Sequence, residues 1–465
     1  MHYARPVMRV RGFVASASAF ALATSLFSTE VHAQNADSFF FGDEAALSAG
    51  AVVASGRDSG AFWYNPSGFG ELKRGMVSAS ASTFGVRIRK VPNALRMQIG
   101  GQTTSANLAS SDIISVPNAV VAATALNDRL ALAGGLLVTE RDLRSALVSI
   151  PEADYHNAAG ESLRLSERLD MQKERAKYHF GAAFAAALSS NVRVGIAAYG
   201  TYTKGVNSVQ YALFAADPGG GRVITTYNQR VTGTAIGAAA SVGIQWDISS
   251  LMSFGLTIRS PEMALTGSLE GGAVSTNTSV GGTKPAKAEH EEKEPPGLDA
   301  AGKFVAPARA LAGIAVPLGA PQSWLELGVD ATHGLAASQL EDEQKPTVNL
   351  RIGARYTLSP SWVVGGGLFT DFARLRRLGK TVALDKVDYY GFTVGFSKRT
   401  PLALVRDPSP EALVLVTTLS LRAALGFGEA RPLSINFDED GVQRDAVSRV
   451  AYIDVMPYLG SSVIF

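Results

Sequence analysis

Arg259, Arg351, Arg355 and Arg422 are the side chains of this sequence best suited to bind something, because each is a cation on the polar parity of an otherwise apolar run. A guanidinium is planar and donates two parallel hydrogen bonds, so a carboxylate is its natural counterpart. Trp324, Phe369 and Tyr452 fall on the same side of their own segments. An apolar bed with a few polar anchors suits a hydrophobic or amphipathic small molecule. A structural reading competes with this one: the arginines pair with Glu326, Asp330 and Asp371 and hold a wall together.

Other chemistry lacks its residues. There is no Gly-x-Ser-x-Gly elbow, no phosphate loop and no His-Glu-x-x-His, so the expectation is a protein that is not an enzyme. His179 is the one histidine in the middle of an alternating run, and a hydrolase would need a serine beside it. His290 sits among Glu289, Glu291 and Glu292 in the low-complexity stretch TKPAKAEHEEKEPPG. That composition is read as a solvated loop, so no metal and no cofactor are expected. A net charge of +2 offers no field for nucleic acid, and the absence of cysteine excludes disulfide frameworks and thiolate metal sites.

The elements that must position these residues are strands. In TVNLRIGARYTL (347–358), Val348, Leu350, Ile352, Ala354, Tyr356 and Leu358 share one parity; Asn349, Arg351, Gly353 and Arg355 share the other. Successive strand side chains point to opposite faces, which gives one oily and one wet side. About ten tilted residues cross a bilayer. Fourteen such segments are expected: 76–90, 114–125, 129–140, 170–188, 191–213, 223–246, 250–270, 304–316, 322–334, 346–358, 361–374, 386–398, 412–427 and 447–465. Tight joints such as Ser189-Ser190 and Ser359-Pro360 alternate with long connections at 91–113, 141–169, 271–303, 335–345, 375–385 and 428–446. Short turns on one side and long loops on the other mark a transmembrane barrel of the outer membrane. Closure follows, because an open strand edge in lipid leaves each unpaired amide at a cost of several kcal/mol.

The route to that membrane is read at the N-terminus. Arg5, Arg9 and Arg11 precede the short apolar run Gly12 to Phe27, and Val31-His32-Ala33 is a small-x-Ala cleavage site. Residues 1–33 are therefore expected to be a signal peptide. No later run of about 18 apolar residues offers a spanning helix. Residues 34–75 are compact and poorly periodic, with turn chemistry at Asn65-Pro66-Ser67. They are either an N-terminal cap or a plug (hatch) for the barrel formed by 76–465.

Several segments together resemble the FadL/TodX family of outer-membrane transport proteins. They are SGRDSGAFWYNPSGFGELKRG, with Asn65, Pro66 and Ser67 where the family has an Asn-Pro-small motif; SVPNAVVAATALNDRLALAGGLLV (115–138); SFGLTIRSPEMALTGSL (253–269); and PARALAGIAVPL with SWLELGVDAT (307–332). The family usually carries Ala at the third motif position, so Ser67 is a departure. The terminal Phe465 resembles the signal read by the barrel-assembly machinery. The resemblance implies a 14-stranded antiparallel barrel with an N-terminal plug, monomeric and embedded in outer-membrane lipid, that carries long-chain fatty acids or other hydrophobic compounds by passive diffusion. It also implies a kink in the third strand that opens a lateral exit. Gly134 and Gly135 are the candidates for that kink; alternatively, they make room for the plug. A non-specific pore or a surface-binding barrel is the other function class these features allow.

Overall fold

The computed structural model describes residues 40–156, 160, 162–216, 220–280, 287–293, 301–336, 343–378, 385–402, 413–436, 441–442 and 447–465. The expected signal peptide lies outside them, and so does the side chain of His290. Among the described residues nineteen strands form one sheet. They are β1 Met76–Ile99, β2 Gln102–Ala125, β3 Leu130–His156, β4 Ser162–Ala187, β5 Val192–Ala216, β6 Arg222–Ser249, β7 Met252–Arg259, β8 Glu262–Val280, β9 Lys287–Lys293, β10 Phe304–Ala306, β11 Arg309–Pro317, β12 Trp324–Thr332, β13 Thr347–Ser359, β14 Trp362–Asp371, β15 Asp385–Leu402, β16 Leu413–Ala430, β17 Leu433–Asn436, β18 Gly441–Val442 and β19 Ser448–Ile464.

Fourteen staves close a ring of antiparallel neighbours, and β19 pairs back onto β1 from Met76↔Ile464 to Lys90↔Ala451. Closure leaves the ring without an edge. The two-residue alternation decides which face is which. On β12, Glu326, Gly328 and Asp330 are buried, while Leu325, Leu327 and Val329 are 41%, 53% and 38% exposed. The same inversion runs through β13, β15, β16 and β19. Carboxylates inside and leucines outside are stable only where the surroundings are hydrocarbon.

The strand count agrees with the expectation, but strand lengths depart from it in two ways. The stretch 250–270 is two strands, because Pro261 has no N–H and Ser260-Pro261 interrupts the ladder between β7 and β8. The stretch 304–316 is likewise broken, at Pro307-Ala308. The expected long loops 91–113 and 141–169 are continuous ladders instead. β1 and β2 stay paired out to Ile99↔Gln102, and β3 and β4 out to His156↔Ser162. β5 and β6 pair from Val192↔Trp246 to Ala216↔Arg222. Such regions carry polar residues on both sides and lack the clean alternation of the lipid-facing part, so they read as loops. Their tall hairpins enclose a second apolar cluster above the belt, including Leu95, Met97, Ile150, Leu165, Tyr211 and Tyr227.

Candidate functional site

Residues 40–75 lie inside the ring. They form a helix at Asp43–Leu47, a second at Ala61–Tyr64 and a 3-10 helix at Pro66–Glu71. Phe41, Phe62, Tyr64 and Phe69 are almost fully buried. Asn65 builds the last turn. Its Oδ1 accepts from the Ser67 amide (3.2 Å) and the Ser67 hydroxyl (2.6 Å). Its Nδ2 donates to the Val53 carbonyl (2.8 Å) and to the Ile244 carbonyl on β6 (3.0 Å). Pro66 begins the turn where no backbone donor is required. The hydroxyl of Ser67 thus adds a bond to Asn65 that alanine at this position lacks.

The wall reaches back to this segment. Glu326 on β12 accepts from the Ala54 amide (2.9 Å), the Ser55 amide (3.0 Å) and the Ser55 hydroxyl (2.6 Å). Thr393 accepts from the Ala49 amide (2.9 Å), and the Tyr199 hydroxyl donates to the Phe62 carbonyl. Inward glycines make the approach possible. A methyl at Gly243 would sit 2.0 Å from Asn65 Oδ1; one at Gly255, 2.2 Å from the Val53 carbonyl oxygen; one at Gly353, 2.2 Å from the Ser48 carbonyl oxygen.

All seven residues singled out for ligand contact point inward, and each has a local partner. Arg259 donates to the Trp63 carbonyl and lies 3.5 Å from the centre of that indole. Arg355 pairs with Glu44 (2.5 Å) and donates to Ser55 Oγ (3.1 Å). Arg351 pairs with Asp330 (3.2 Å), which also receives Arg309. Arg422 stands 4.7 Å from the Phe369 ring and 5.7 Å from that of Phe40, and Phe40 meets Phe369 edge-on at 5.3 Å. Trp324 faces Arg57 at 5.4 Å. Tyr452 is buried beside Asp385 at the outer end of the bore. Phe465 packs against Gly75 and donates its amide to the Gly75 carbonyl (2.9 Å).

The third strand is irregular, but above the expected place. Gly134 and Gly135 stay in register with Ala122 and Val121 on β2 and with Ala182 and Gly181 on β4. The shift falls between Val138 and Glu140, and the β2–β3 ladder ends at Ala119↔Leu137. Thr139 is the extra residue of a bulge, a feature that bends a strand and ends pairing. Its hydroxyl lies 3.0 Å from His179 Nδ1, and the His179 ring meets Trp63 at 5.0 Å.

Beyond the bulge, β3 leans on strands other than β2. Asp142 receives Arg89 (2.6 Å), Arg144 (2.9 Å) and Arg87 (3.3 Å), and Arg144 reaches Asp385 on β15 (2.8 Å). Burial alone would raise the Asp142 carboxyl; the three guanidiniums together hold it well below the usual carboxylate range. Higher still, between the tall hairpins, burial pushes the Glu167 carboxyl up to about 7 despite a 2.6 Å bond from the Tyr211 hydroxyl.

Thr139 and Asp142 were not singled out from sequence, and Glu326 was named only as a partner for the arginines, not for Ala54 and Ser55. A carboxylate on the inward parity was visible at Glu326, but its partners lie 271 and 272 residues away in the chain. Nothing local marks Thr139, because a bulge is defined by the neighbouring strand's register.

No protein-family model matches the sequence, and no curated protein matches it. Solved structures do match in fold. The crystal structure of a Pseudomonas aeruginosa FadL homologue aligns at a TM-score of 0.52 and 11% identity, covering 92% of this chain and 99% of that one. The P. putida toluene transporter TodX aligns at 0.53 and 12%, covering 91% and 98%. The CymD monoaromatic hydrocarbon channel aligns at 0.50 and 14%, covering 91% and 97%. The fold of this chain is theirs.

Proposed function

We propose that this chain, which has the fold of the FadL and TodX channels, is a member of that family and passes hydrophobic small molecules across the outer membrane by passive diffusion, long-chain fatty acids first among them. The observation that supports this most directly is the N-terminal segment fastened in the bore by Asn65 and Glu326. An open aqueous pore would want a charged, water-filled constriction instead. Residues 34–75 act as the plug. Arg259 and Arg355, which now hold plug backbone and side chains, become available to a carboxylate when the plug shifts. Cargo leaves sideways where β2 and β3 part above Ala119↔Leu137. Export through the N-terminal leader, insertion by the assembly machinery through Phe465 and a monomeric state complete the reading.

The test compares uptake of a labelled long-chain fatty acid and of a labelled aromatic hydrocarbon in cells with and without the gene, alongside planar-bilayer conductance of the purified protein. Gene-dependent uptake with little steady ion current is expected. A large steady current without cargo uptake would instead identify a non-specific pore.

A further inference from the structure

The outward face of β13–β16 and β19 carries an apolar groove of about 820 Å3, within the size range of small-molecule sites. Strand register explains it. One hydrogen-bonded row presents outward Ala354, Gly366, Val394, Leu421 and Pro457 in turn. Ala354 and Gly366 are the small members of that row. The row nearer the short turns carries Tyr356 and Phe396, and the row on the other side carries Leu368 and Phe392. The dent is therefore walled by bulky side chains on two sides.

A cation stands at its lower end. Lys398 is the next outward residue after Phe396, is paired with Trp362 across the ladder, and holds its ammonium 5.5 Å from that indole. Tryptophan and lysine together mark the level of lipid head groups. From Lys398 to Val394 is four residues, or about 13 Å of strand, so a head group at Lys398 would place the start of an acyl chain in the groove.

We propose that this groove is a binding site for one acyl chain of an anionic phospholipid whose phosphate pairs with Lys398. The proposal rests on the reading that this wall faces lipid. A second copy of the barrel is the weaker occupant, because a convex wall of bulky side chains does not enter a dent one residue wide, whereas a flexible chain does, and only a lipid supplies an anion at the depth of Lys398.

The test reconstitutes the mature chain in bilayers of phosphatidylglycerol and phosphatidylcholine in equal amounts, extracts it into mild detergent and counts retained phospholipid by native mass spectrometry. Wild type is expected to keep one phosphatidylglycerol. Gly366→Leu, whose Cβ would meet only the Thr393 carbonyl oxygen, at 3.3 Å, and whose side chain lies on the outward parity, should lower occupancy about tenfold. Lys398→Glu should abolish the preference for phosphatidylglycerol. Heat-modifiable migration on a gel reports that each variant is folded. Equal retention by wild type and Gly366→Leu, retention of both lipids alike by wild type, or capture of free fatty acid instead overturns the site. A wild-type chain that stays soluble without detergent overturns the membrane reading and the site with it; a folded barrel carrying no phospholipid overturns the site alone.

Discussion

At Glu326 one buried carboxylate satisfies two backbone amides and a hydroxyl of the segment inside the ring. Removing such an acceptor leaves each buried donor unpaired at about 1–3 kcal/mol. Glu326→Ala is therefore expected to loosen the proposed plug and to raise steady ion current in planar bilayers by about tenfold or more, with a smaller rise for Glu326→Gln, which keeps one acceptor. Unchanged current in both would mean that the segment is held by other contacts. The inward parity of Arg259, Arg351, Arg355 and Arg422 was legible from alternation alone. What each guanidinium touches was not, because Trp63 and Glu44 reach Arg259 and Arg355 only once the ring has closed around the N-terminal segment, and Asp330 meets Arg351 through the register of β12 on β13.

The third strand shows how an element departs from its own sequence. Gly134-Gly135 is the flexible-looking spot, yet the ladder passes through it intact, because both residues lie in the part of β3 that β2 and β4 grip together. The shift comes at Thr139, where β2 stops pairing. Deleting Thr139 removes the extra residue, straightens β3 and is expected to abolish cargo uptake while the barrel still folds; uptake at the wild-type level would place the exit elsewhere. The tall β4–β5 hairpin makes a separate prediction. Glu167 has a folded-state pKa of about 7, above its ordinary value of 4.5. A raised carboxyl favours the protonated folded form, so its contribution is full below about pH 4.5 and is lost as pH rises through about 7. The protection factors of the backbone amides around Glu167 and Tyr211, with intrinsic base-catalysed exchange divided out, should fall between pH 5 and pH 8, and Glu167→Gln should remove that fall.

For the whole molecule, one rule of alternation sets the inside and the outside, and the ring closes because no strand edge can be left open in hydrocarbon. The sequence by itself determined the strand number, the parity of the clearly alternating staves and the presence of a non-periodic segment before the first strand, since all three depend on side-chain pattern within about ten residues. It left the tall hairpins illegible: outside the lipid a strand no longer needs one oily face, so its residues look like loop. The tertiary structure alone decided where β2 and β3 separate, which carboxylates meet which arginines and how small residues such as Gly243, Gly353 and Gly366 are used. Those are relations between strands, set by register and closure, and no pattern within one strand encodes them.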